Sequence, residues 1–227
     1  MPGVLCLQGG REFTPECREM DGEVLRRARA GSPERPVVVL AGAARVGSDH
    51  AGAVARAVEH YESLGAVARG VTDPRHDARA TLDELHDEIG LIVLPGGSPS
   101  SLIDVLFADD ALVGRRLVEL HERGVGISGA SAGAMAMCEF CVLPDRGRRG
   151  RVAVAHGLGL VEGVALPHWT PGDPRWELPD DVHLWGLPEC GGVVIEGDAT
   201  AAVGAGAPSF RHAGAGWLPV IRHVAAT

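Results

Sequence analysis

Five short runs rich in Val, Ile and Leu constrain this chain more than any other feature: Val4–Leu7, Val37–Ala41, Ala66–Val71, Leu91–Leu94 and Val125–Ser128. They lack the apolar-polar alternation of a half-exposed sheet. Runs of this kind are strands buried on both faces, as in a parallel sheet covered by helices. Stretches of helical period lie between them, at Asp49–Leu64 and Ala78–Ile89. The alternation predicts an α/β fold with a doubly wound, mostly parallel sheet flanked by helices. Ligands of such sheets bind at the carboxyl ends of the strands, so the loops that follow the runs are where chemistry is expected. After about residue 145 Pro and Gly thicken, Trp169, Trp176 and Trp185 occur, and the helical period weakens. Val193–Ile195, Ala201–Val203 and Trp217–Ile221 then read as short extra strands near the C-terminus. No fixed-period repeat and no dividing linker is visible, so residues 1–227 are expected to form one domain.

Composition removes several function classes. Hydrophobic residues make up 45% of the chain and charged residues 22%, enough to bury a core. All 21 basic residues are Arg, which excludes Schiff-base chemistry, a P-loop lysine and a Ser-Lys dyad. The net charge of −9 argues against nucleic acid or an anionic membrane as the main partner. The basic run Arg146–Arg151 reads as a solvated loop. No apolar run reaches the roughly 18 residues of a membrane span, and the first residues do not resemble a signal peptide, so a cytoplasmic protein is expected. Five cysteines do not suggest a disulfide framework. Cys138 and Cys141 read as small buried side chains one helical turn apart. His121-Glu122 opens like a zinc-protease motif, but position 125 is Val. Neither a metal nor a cofactor is expected.

The sharpest local signal is Gly129-Ala130-Ser131-Ala132-Gly133, a G-x-S-x-G after an expected strand and before an expected helix. A nucleophile on a tight strand-to-helix turn stands clear of the backbone, and the flanking glycines relieve crowding. With 32 Gly and 9 Ser in the chain the pattern alone is weak; its setting strengthens it. A second glycine turn, Pro95-Gly96-Gly97-Ser98, follows Leu91–Leu94 and can lie beside the first. The N–H groups of Gly97 and Ala132 would then form a two-donor oxyanion hole. The plainer reading of this turn is a strand-to-helix connection capped by Ser98 or Ser100. Of ten histidines, His168 stands out because it ends the apolar run Val164–Pro167 and enters a Pro/Gly loop beside Trp169.

Several segments together resemble the serine peptidase family that contains aspartyl dipeptidase (peptidase E) and cyanophycinase. They are the early strand ending in Gly9-Gly10, PGGSPSSL at 95–102, SGASAGAMAM at 128–137 and GLGLVEGVALPHW at 157–169. The late stretch VVIEGDATAAVGAG at 193–206 is similar as well, so the resemblance spans nearly the whole chain. It implies a flavodoxin-like fold of the class I glutamine amidotransferase type. It also implies Ser131 as nucleophile, His168 as general base and Glu196, in Ile195-Glu196-Gly197, as the orienting acid, with Asp145 and Asp198 as competitors. Two departures stand out. Ser98-Pro99 replaces the polar pair that often follows the family's glycine turn, and Pro174, Pro179 and Pro188 interrupt the region after the histidine.

The expected function is hydrolysis of a peptide or isopeptide bond in a small substrate through a Ser-His-Glu triad and an acyl-enzyme. The resemblance implies an N-terminal acidic residue or a β-aspartyl linkage; the candidate substrate contacts are Ser98, Trp169 and Arg175, with an arginine of the 146–151 run as the alternative to Arg175 for a substrate carboxylate. Small peptides or amino-acid derivatives are the expected partners, and a homodimer is compatible with the sequence. The alternatives are a non-catalytic binding or regulatory member of the same fold, and an ordinary α/β-hydrolase esterase using His212 or His223.

Overall fold

In the computed structural model, residues 1–44, 50–144, 152–171, 178 and 181–221 are described. The chain opens with β1 (Leu5–Gln8), a short 3-10 turn at Pro15–Cys17 and α1 (Arg18–Ala28). It continues through β2 (Val37–Val39), α2 (His50–Ser63), β3 (Ala68–Gly70), α3 (Ala78–Glu84) and β4 (Leu91–Leu94). Next come α4 (Pro99–Glu122), β5 (Gly126–Ala130) and α5 (Ala132–Met137). The remaining strands are β6 (Cys138–Pro144), β7 (Val152–His156), β8 (Val161–Pro167), β9 (Leu184–Leu187), β10 (Gly191–Glu196), β11 (Ala199–Gly204), β12 (Ser209–Arg211) and β13 (Trp217–Pro219). The architecture is α/β with helices against the sheets, as expected.

Seven strands form the first sheet in the order β11-β10-β1-β5-β4-β2-β3. The five strands of the early apolar runs are mutually parallel, while β10 and β11 add an antiparallel edge. Successive side chains on the buried strands feed opposite cores. Val37, Val39, Leu91 and Val93 pack with Val24 of α1 and Tyr61 of α2. Val38, Leu40, Ile92 and Leu94 pack with Leu102, Leu106 and Leu117 of α4 and with α5. That division explains the runs at β2 and β4, where both faces of the sheet are covered and no position requires a polar residue; the run at Ala66–Val71 differs, because β3 is the edge strand, half-buried, and carries Arg69. The α4 helix starts where Ser98 Oγ accepts the Ser101 N–H at 3.2 Å and Pro99 takes the first helical position. It is broken at Ala108–Ala111, where Asp109, Asp110 and Ala111 adopt left-handed backbone.

The second half holds more sheet than the sequence announces. Six strands, in the order β13-β12-β9-β8-β6-β7, make a second sheet, and it begins at Cys138. The helix around the C-x-x-C is therefore overturned: α5 stops at Met137, and Cys138 and Cys141 lie on β6. Both are buried free thiols, and desolvation pushes the Cys141 thiol up to about 12 and that of Cys138 higher still. The α3 helix ends at Glu84, short of Ile89. Leu85 turns extended, yet Leu85 and Ile89 are both buried, so the apolar period outlives the helix. No helix among the described residues is long and apolar enough to cross a membrane.

Candidate active site

The β5–α5 junction carries Ser131. Its backbone has φ 49° and ψ −108°, a region rarely occupied by a side-chain-bearing residue. The turn closes so tightly that only glycine fits on either side. A Cβ on Gly129 would lie 2.5 Å from the Gly133 carbonyl carbon, and one on Gly133 would lie 2.0 Å from Leu94 O. The spacing of the G-x-S-x-G is thus a packing requirement of the elbow.

His168 follows β8, also with positive φ (53°). Its Nε2 lies 3.1 Å from Ser131 Oγ. Its Nδ1 lies 3.1 Å from Oε1 of Glu189, in the turn between β9 and β10. With Glu189 ionised, Nδ1 carries the ring proton and Nε2 is free to accept the serine hydroxyl. The side chains of His168 and Glu189 are 40% and 49% exposed, so the trio opens to solvent.

The end of β1 fixes the backbone of this trio. Gln8 O accepts the Ser131 N–H at 3.0 Å, Gly9 O accepts the His168 N–H at 2.8 Å, and Gly10 O accepts the N–H of Cys190, next to Glu189, at 3.1 Å. The Gln8 side chain anchors the strand from below. Its amide donates to Asp21 Oδ1 (2.7 Å) and Ser128 Oγ (3.0 Å), and Asp21 Oδ2 meets His60 Nε2 at 2.8 Å. Gln8, Asp21, His60 and Ser128 are all buried. A satisfied buried network of this kind resists displacement because any missing partner leaves a desolvated polar group.

The glycine turn after β4 lies against Ser131: a Cβ on Gly96 would sit 3.2 Å from Ser131 Cβ. Among the described residues, the N–H groups of Gly97 and Ala132 meet no acceptor. Gly97 itself is exposed, with φ 147°.

Other residues expected at the site are placed elsewhere. Glu196 ends β10, and its Oε2 pairs with Arg27 Nη1 of α1 at 2.5 Å, away from His168. Asp198 is exposed in the β10–β11 turn. Ser98 is 5% exposed and its hydroxyl is spent on the α4 cap. Trp169 is buried against Trp217, ring centroids 4.9 Å apart. Arg175, Asp145 and the run 146–151 lie outside the described residues, as does His223. His212 stacks edge-on with Phe210 and His183 in the second sheet. Glu189 is the acid that sequence reasoning misses: its own segment, Leu187-Pro188-Glu189-Cys190, carries no signal of the pairing with His168.

The sequence profile of peptidase family S51 matches residues 7–184, which include Ser131 and His168. The chain belongs to peptidase family S51. It is accordingly a serine-type peptidase, and the peptidase E-related resemblance holds for the family as a whole. Two solved structures share the fold. A peptidase from an acI-B1 Actinobacterium superposes with a TM-score of 0.76 at 21% identity, covering 98% of this chain and 96% of that one. A peptidase E-like protein from Listeria monocytogenes EGD-e gives a TM-score of 0.63 at 16% identity, covering 91% and 100%. No curated protein sequence matches significantly.

Proposed function

We propose that this S51 peptidase hydrolyses a peptide or isopeptide bond of a small substrate through Ser131, His168 and Glu189. The observation that carries the reading is the continuous pair of 3.1 Å contacts from Ser131 Oγ through the His168 ring to Glu189. His168 Nε2 removes the hydroxyl proton as Oγ adds to the carbonyl carbon. In this reading the N–H groups of Gly97 and Ala132, which meet no acceptor among the described residues, receive the resulting oxyanion. His168 then gives that proton to the departing amine, leaving an acyl-Ser131. Water, deprotonated by His168, adds to the acyl carbon, and collapse returns the proton to Oγ. Glu189 keeps the ring in the productive tautomer and stabilises the imidazolium. Small peptides with an acidic or β-aspartyl first residue remain the proposed substrates.

The test is labelling of the protein with a fluorophosphonate followed by peptide mapping. Modification of Ser131 in the wild type and its loss in Ser131→Ala is the expected result, since removing such a nucleophile costs about 10⁶ in rate. An unlabelled wild-type protein would favour a non-catalytic binding member of the fold and overturn the proposal.

A further inference from the structure

The loop after β1 carries an anion that the hydrolytic steps leave unused. Glu12 stands between two side-chain-bearing residues in the left-handed region, Arg11 (φ 58°) and Phe13 (φ 64°). Such conformations persist where the surroundings over-determine them. Here the Phe13 ring lies 5.5 Å from that of His60 and 6.2 Å from that of Tyr61, and Arg11 O accepts Cys17 Sγ–H at 3.2 Å. The outcome is an aimed carboxylate: Glu12 Oε1 accepts the Gly96 N–H at 2.8 Å. A Cβ on Gly96 would lie 2.6 Å from that oxygen and 3.2 Å from Ser131 Cβ, so carboxylate and nucleophile flank one glycine.

Glu12 pairs with no cation among the described residues. Arg11 reaches Glu16 at 3.5 Å. Glu12 lines a cleft of about 450 Å³ with Arg18 and Arg56, but Arg18 is taken up by Ser63. An unpaired, preorganised anion beside a nucleophile is a receptor for positive charge.

We infer that Glu12 is a specificity-determining residue whose carboxylate receives the free α-ammonium of the residue whose carbonyl Ser131 attacks. The inference rests on the proposed serine nucleophile. Bond lengths decide the placement. In an α-linked residue the α-nitrogen lies about 2.5 Å from the attacked carbonyl carbon, and in a β-aspartyl residue it is one bond further away, so in either case a group that reads it must stand beside the nucleophile. Glu12 does, and with Oε1 held by Gly96 its second oxygen remains available. The Gly97 N–H is not the one Glu12 occupies, so substrate ammonium and oxyanion have separate partners. An N-acylated substrate would desolvate Glu12 without supplying a cation, which excludes blocked termini.

The test compares two serine-directed probes, the diphenyl phosphonate ester analogue of aspartate with a free amine and its N-acetyl derivative. With each, Ser131 Oγ bonds to phosphorus, phenoxide departs and His168 takes the hydroxyl proton. Wild-type protein should react faster with the free amine by about 10- to 100-fold, the range of a charge-assisted hydrogen bond. Glu12→Gln keeps an oxygen for the Gly96 N–H and removes the charge; it should erase that preference. Equal rates for the two probes in the wild type, including no reaction with either, overturn the inference. So does a preference retained in Glu12→Gln, or a faster reaction of that variant with both probes, which would make Glu12 an obstruction. A fluorophosphonate carries no ammonium and reports the nucleophile separately; its failure to label Ser131 removes the serine reading and this inference with it.

Discussion

Replacing Glu189 separates the proposed orienting carboxylate from its rival Glu196. The contact to His168 is 3.1 Å long between groups that are about half exposed. At an effective dielectric between those of water and a protein surface, one such charge stabilises an imidazolium by about 1–4 kcal/mol. Glu189→Ala, where water can enter, should therefore slow Ser131 acylation by about 10- to 10³-fold. Glu189→Gln should be the worse variant. Its amide can turn an N–H toward Nδ1, which moves the ring proton to Nε2 and leaves no lone pair facing the hydroxyl; a comparable tautomer error costs about 10⁴. Glu196→Gln removes only an exposed ion pair with Arg27, worth at most about 1 kcal/mol of stability, and should label at a rate within about twofold of wild type. The assay is the rate of fluorophosphonate labelling followed by intact-protein mass spectrometry. Unchanged labelling in both Glu189 variants, or strong slowing in Glu196→Gln, would refute the assignment.

Other perturbations test the scaffold. Gly133→Ala forces a Cβ to 2.0 Å from Leu94 O and should cost about 3 kcal/mol, roughly 6–12 °C in Tm by calorimetry. Gly22→Ala in α1 meets only Leu64 Cδ2, at 4.0 Å, and should instead stabilise by about 0.5–1 kcal/mol; a Tm that falls would contradict the helix packing. Hydrogen bonds from Arg75 hold the Asp73 carboxyl down at about 2, below its ordinary 3.8. The folded pKa is the lower one, so this stability is complete above pH 3.8 and is lost as pH falls toward 2. Denaturation of Asp73→Asn should show a decline across that window smaller by about 2 kcal/mol, and an identical acid profile would dispose of the pairing.

The parts legible in the sequence are those fixed by local rules. Leu91–Leu94 coincides with β4 because a doubly covered parallel strand needs apolar side chains at every position. Gly129–Gly133 is legible because a tight strand-to-helix turn demands glycines at that spacing, although Gly133 is held against Leu94 of the neighbouring β4. Glu189 follows a different rule. It reaches His168 only because β9 pairs parallel with β8 and the β9–β10 turn then crosses to β1, and nothing within its own segment records that crossing. Cys138–Pro144 misled for a related reason: small residues of α5 run without punctuation into β6, and pairing with β7 and β8 overrides the helical spacing of the two cysteines.

What unites the site is the end of β1. Three consecutive carbonyls, of Gln8, Gly9 and Gly10, take the N–H groups of Ser131, His168 and Cys190, and Glu12 follows two residues later. The proposed nucleophile, the proposed base, the neighbour of the proposed acid and the proposed ammonium reader thus share one short backbone as their reference. A shift of that strand would move all of them together, which preserves their mutual spacing, whereas a defect beneath it would not act uniformly. The Gln8 side chain ties this segment to Asp21 and Ser128, and through Asp21 to His60, whose ring packs against Phe13. The buried network and the strained loop are therefore one mechanical unit. Positioning in this peptidase is set from the first strand outward, with Ser131, His168 and the Glu189–Cys190 turn attached to it from three distant parts of the chain.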